Sequence, residues 1–202
     1  LRLVGSEMCI RDRIKNEEKP KRRRTERAFL TIDELKILSQ TDFHNATLKK
    51  AFLFSCFCGL RHSDIVALTW GNLKKGKVGK MELHMTQQKT QEILSLPLSK
   101  EALKQLPVRG KVPDTEKVFK GLISLGRTNE ILPKWAAKAG IQKHITFHSA
   151  RHTHATMMIT LGADLYTVSK LLGHTNIQTT QIYAKIVDES KEKAIDLIPD
   201  IT

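Results

Sequence analysis

The chain of 202 residues carries 34 Lys and Arg against 21 Asp and Glu, a formal charge of +13 with a pI near 9.8. That excess favours a polyanionic partner, nucleic acid ahead of membrane, because no strongly basic amphipathic helix stands out. Hydrophobic content of 40% fits one soluble domain with a real core. The longest apolar run, AFLFSCFCGL, is about half of a membrane span, and no secretory signal is visible, so a cytoplasmic protein is expected. Three cysteines make no disulfide framework. Cys56 and Cys58 read as small core residues of a reduced protein.

In chain order, residues 1–14 (LRLVGSEMCIRDRI) show neither periodicity nor turn logic. They read as a non-native or disordered segment, since VGSEMCIRDR resembles translated sequencing adaptor, and the chain is then expected to be a fragment. Residues 15–27 (KNEEKPKRRRTER) form a basic linker whose Lys21, Arg22, Arg23 and Arg24 are candidate contacts to nucleic-acid phosphates. Simple solvation is the plain alternative. Residues 28–202 read as one folded domain.

Order begins at FLTIDELKIL, where Thr31 and Glu34 have the spacing of a capping box and Phe29 or Leu30 could staple the helix start. A second helix is expected over 46–58, stopped by Gly59, and a third is capped by Ser63 or Asp64. Short alternating runs on either side of QQKTQ predict a β-hairpin within 80–99. Helical signals return at 99–106, 128–139, 147–161, 164–172, 176–186 and 188–197. The fold class is therefore mainly α with a small antiparallel β-sheet.

The segment FHSARHTHATMM concentrates chemistry on the helix at 147–161. His148 and Arg151, three apart, share a face, as do His148 and His152, four apart. The second spacing is also that of a zinc-binding helix, but Ser149 stands where a zinc hydrolase carries its general base, and an adjacent arginine repels a dication. A phosphate clamp, a metal site and scattered surface histidines remain the three readings of this segment alone.

Other positions choose between them. Arg61 in CGLRHSDI, Lys89 in QQKT, His148 and Arg151 in HSAR, His174 in LLGH and Tyr183 in IYAKI occur in an order that resembles the tyrosine recombinases, or phage integrases. The resemblance runs over about residues 25–202. DLYTVSKLLGHTNIQTTQIYAKI looks especially like integrases of mobile elements in the Bacteroides group. The family implies a catalytic domain of a site-specific recombinase that cleaves and rejoins double-stranded DNA through a 3′-phosphotyrosyl link. It also implies a homotetramer on paired sites, no cofactor, no metal, and an N-terminal core-binding domain that this chain would lack.

The resemblance assigns Tyr183 as nucleophile, Arg61 and Arg151 as clamp, His174 as a further donor and Lys89 as acid to the leaving oxygen. His148 fits as base. The roles suit the residue types: guanidiniums stay charged and bind phosphate bidentately, whereas a phenol needs a base to ionise near neutral pH. His152 and His154 match no catalytic position and are taken as structural. The competing readings are a type IB topoisomerase, an inactive DNA-binding module and a zinc hydrolase using His148, His152 and His174.

Overall fold

The computed structural model describes residues 28–76 and 79–183. The basic linker with Lys21 to Arg24 and the helix expected at 188–197 lie outside the described residues. Seven helices are described, α1 (Ile32–Gln40), α2 (Ala46–Cys58), α3 (His62–Ala67), α4 (Lys100–Lys104), α5 (Leu125–Lys138), α6 (Phe147–Thr160) and α7 (Leu165–Leu172). One antiparallel sheet, in the order β1 (Leu73–Lys75), β2 (Met81–Thr86), β3 (Ile93–Pro97), lies between α3 and α4 in sequence. The fold is mainly α with a small sheet, as the periodicities indicate.

Local signals explain most boundaries. Thr31 and Glu34 form the expected reciprocal box at the start of α1. The backbone N–H of Leu30, itself buried, donates to Thr153 on α6 at 2.9 Å, which docks this entry onto the second half of the chain. From Ala51 onward helix α2 is apolar on almost every side, and a helix of that kind belongs in the middle of a core. It packs against α6, and Phe52 meets both Trp135 and Phe147 edge-on. Cys56 and Cys58 are buried there as free thiols, and burial pushes the Cys58 thiol up to about 12.

Three expectations need correction. The N-terminal position of α3 is occupied by Arg61, not Ser63 or Asp64; Asp64 sits in the first turn and accepts from the Arg61 backbone N–H at 3.2 Å. The hairpin is there, with Leu83 opposite Leu96 and Met85 opposite Leu94 on the buried face, but β1 adds a third strand beyond it. Three residues of strand carry too little alternation to be read from sequence. The helix expected at 176–186 is instead two short 3-10 turns, Ile177–Thr179 and Gln181–Tyr183, as far as the described residues run. Asn176 caps the first by accepting from the Gln178 backbone, a local bond that competes with a regular helix.

Gly173 closes α7 with φ +64, and a Cβ there would stand 2.8 Å from both amide atoms of the buried Gln87 side chain. Both the left-handed backbone and the close approach require glycine. Gly173→Ala is expected to destabilise the domain by about 2 kcal/mol or more. A urea titration checks it: the midpoint should fall at an unchanged slope.

Candidate active site

Two helix ends and one helix face make the site. Helix α2 ends at Gly59 (φ +72) and α7 ends at Gly173, so each helix leaves a carbonyl near its end pointing out of the ladder. Arg151, on α6 between them and 3% exposed, donates through Nη1 to Gly59 O at 2.7 Å and through Nη2 to Leu172 O at 2.6 Å. Burial above all, and then the neighbouring Arg61, pull its guanidinium down to about 10. It still stays cationic at neutral pH.

Arg61 starts α3, two residues after Gly59 closes α2. Its Nη1 is buried, lies 4.0 Å from Asp64 Oδ2 and makes no hydrogen bond. A buried guanidinium N–H without an acceptor is costly. A phosphate oxygen would satisfy it.

His174 follows Gly173 and is half-buried, with Nδ1 2.8 Å from the Thr180 hydroxyl. Burial first, then Arg151, Arg61 and His148, hold its pKa down to about 4, so the ring is neutral at pH 7. The two arginines and His148 therefore lie near enough to His174 to act on its charge.

Tyr183 is buried at the end of the described chain. Its ring joins Ala155, Ile159, Val168 and Leu172 in a small second core between α6 and α7. The hydroxyl meets His152 Nδ1 at 2.5 Å, and Tyr183 lies near enough to Arg151 to offset part of the lowering that burial and Arg61 cause there. His148 is exposed, its ring edge-on to His152 with centroids 4.6 Å apart. The structure thus brings Arg61, Arg151, His148, His174 and Tyr183 together. Among the described residues no three His, Cys, Asp or Glu side chains converge as a metal-binding group, which leaves the three-histidine zinc reading without a donor set there.

Comparison with known proteins decides the family. The phage integrase family model matches residues 28–190. The chain belongs to the phage integrase family. A tyrosine recombinase of Pseudothermotoga lettingae is 30% identical over 181 residues, covering 88% of this chain and 63% of that protein. The chain thus spans under two thirds of that relative's length. Of solved structures, the fold is similar to XerA recombinase, with a TM-score of 0.64 at 20% identity over 83% of this chain and 65% of that one. It is also similar to the catalytic domain of bacteriophage HP1 integrase, with a TM-score of 0.61 at 22% identity over 86% and 96% of the two chains.

Lys89 occupies the exposed turn between β2 and β3 of this phage integrase domain. Two buried side chains with no site role readable in the sequence hold that turn. Asp64, fully buried, accepts the Gln88 backbone N–H at 2.8 Å while its other oxygen accepts from Arg61, so one carboxylate ties the turn to the first arginine. Gln87 donates to Leu172 O at 3.2 Å, the carbonyl that also receives Arg151, and accepts from Thr90. Asp64 reads in sequence as a helix cap, and nothing local marks Gln87. Their roles exist only once distant segments meet. His154, taken as structural, is buried with Nδ1 3.3 Å from Cys56 O and packs on Gly59, so it supports the turn whose carbonyl holds Arg151.

Proposed function

We propose that this phage integrase family domain cleaves and rejoins double-stranded DNA through a phosphotyrosyl intermediate, as the catalytic part of a mobile-element integrase. The observation that supports it best is the Tyr183 hydroxyl buried within the electrostatic reach of Arg151. A tyrosine hydroxyl near a guanidinium has a cation ready for the phosphate it attacks.

The Tyr183 oxygen attacks the scissile phosphorus, and the bond from phosphorus to the 5′ oxygen breaks. Arg61 and Arg151 neutralise the charge that grows on the non-bridging oxygens; Arg61 brings its unsatisfied Nη1 and Arg151 arrives already fixed by two carbonyls. In the tautomer whose Nδ1 accepts from the Thr180 hydroxyl, neutral His174 carries its proton on Nε2 and offers it to the same oxygens. His148 lies on the open side as the base assigned from sequence. Lys89, on a turn pinned by Asp64, protonates the departing 5′ oxygen. Rejoining runs the steps backwards with another 5′-hydroxyl, and bond energy is kept in the phosphotyrosyl link.

The DNA-bound neighbours, among them XerH recombinase bound to its difH substrate, support DNA as the partner. Recombination on paired sites calls for several protomers, and a homotetramer is part of this reading. Lys21, Arg22, Arg23 and Arg24 supply further phosphate contacts, which makes binding steeply salt-dependent.

The experiment is covalent capture. The chain is mixed, in EDTA, with nicked duplexes of random sequence, and protein that keeps DNA in SDS is recovered. An adduct with a free 5′-hydroxyl on the released strand is the expected result. No adduct at any sequence, with binding intact, would reduce the domain to a DNA-binding module. Relaxation of supercoiled DNA without strand exchange would mark a topoisomerase.

A further inference from the structure

The buried contact between His152 and Tyr183 is not used by the scheme above. His152 follows Arg151 on α6, is 5% exposed, and its Nδ1 meets the hydroxyl of Tyr183, also 5% exposed. A phenol O–H donating to Nδ1 fixes the imidazole proton on Nε2 and leaves Nδ1 as the acceptor.

We propose that His152, rather than His148, takes the proton from Tyr183 when the tyrosine attacks DNA. The inference rests on the reading of Tyr183 as nucleophile. As the Tyr183 oxygen forms its bond to phosphorus, its proton passes to His152 Nδ1 and the ring becomes an imidazolium. The P–O5′ bond breaks and the 5′ oxygen takes a proton from Lys89. Rejoining returns the proton from His152 to the phenolate as it leaves.

Geometry favours His152 in two ways. The hydrogen bond is already made and both partners are out of solvent, so no reorganisation precedes transfer. The positive charge that His152 gains is matched by the one Lys89 gives up with its proton, so the site as a whole keeps its charge. Among the charged and titratable groups beside it are His148 on its own helix, Arg151 one residue before it, and Tyr183 itself. A guanidinium one residue away, on Arg151, opposes a lasting imidazolium, which drives the proton back during rejoining. His148, exposed and edge-on to His152, is left to face the phosphate.

His152→Asn tests it, because the shorter amide can keep an acceptor near the Nδ1 position but cannot hold a proton. His152→Gln is the second variant, should the first not fold. On duplexes captured from the random pool, cleavage by either should fall at least ~10²-fold with binding retained. The rate should then climb about tenfold per pH unit over roughly pH 6 to 9, where the unaltered chain levels off. Fluorinated tyrosine at position 183, a stronger acid, should restore cleavage in the His152 variants and not in Arg151→Lys. His148→Ala should keep the pH profile's original shape whatever its rate. If fluorination fails to rescue the His152 variants, the ring only packs the tyrosine and the proposal falls. It falls equally if His148→Ala is the variant that shows the rising, rescued profile. An adduct still formed by Tyr183→Phe would instead remove the nucleophile reading itself.

Discussion

Arg151→Lys should slow DNA cleavage by about 10³-fold while leaving DNA binding nearly intact. The native guanidinium spends one N–H on Gly59 O and one on Leu172 O, and still has donors left for a phosphate. A lysine ammonium is a point charge that cannot hold both carbonyls and present a flat pair of donors as well. The same change should lower stability, because Gly59 O is left in the interior without its donor; one such group is worth about 1–3 kcal/mol. Leu172 O keeps its bond from Gln87. Single-turnover cleavage measured beside a denaturation curve separates the effects, since stability lost without a loss of rate would make Arg151 a structural brace alone.

The second large effect lies across the pocket. Lys89→Ala should reduce cleavage by about 10²–10⁴-fold, the range for a general acid, because the 5′ oxygen would leave as an alkoxide. Replacing that bridging oxygen with sulfur gives a leaving group that needs no proton. Cleavage of the sulfur substrate should recover in Lys89→Ala and stay poor in Arg61→Ala, whose defect is unneutralised charge on the non-bridging oxygens. Rescue of a change at Lys80 in place of Lys89 would assign the acid to the strand entry instead. Asp64 and Gln87 fix the backbone of the turn while Lys89 itself is exposed, so the side chain has reach and the loop has a set position.

What could be read in the sequence was what neighbouring residues decide. The Thr31–Glu34 box, the glycine stops at 59 and 173 and the alternation of the hairpin are local choices, and the structure follows them. The family order of Arg61, Lys89, His148, Arg151, His174 and Tyr183 is also present in the sequence, and the fold sets all but Lys89 near one another. Contacts between segments were not legible. Asp64 serves Arg61 and Gln88 at once, and the two are 27 residues apart. His152 looked like a bystander because its partner lies 31 residues on, beyond an intervening helix. The turns at 177–183 also escaped, since Asn176 and Thr180 bond locally instead of continuing a helix.

The central claim is that one particular oxygen of this protein becomes bonded to DNA. The chain contains only two tyrosines, Tyr166 on the exposed side of α7 and the buried Tyr183. Captured adduct is therefore digested with nuclease and protease, and the peptide bearing the nucleotide is sequenced by mass spectrometry. The expected result is a 3′-phosphotyrosyl residue at Tyr183, with Tyr183→Phe yielding no adduct while still binding DNA. A nucleotide on Tyr166, on a serine or on a histidine would contradict the account.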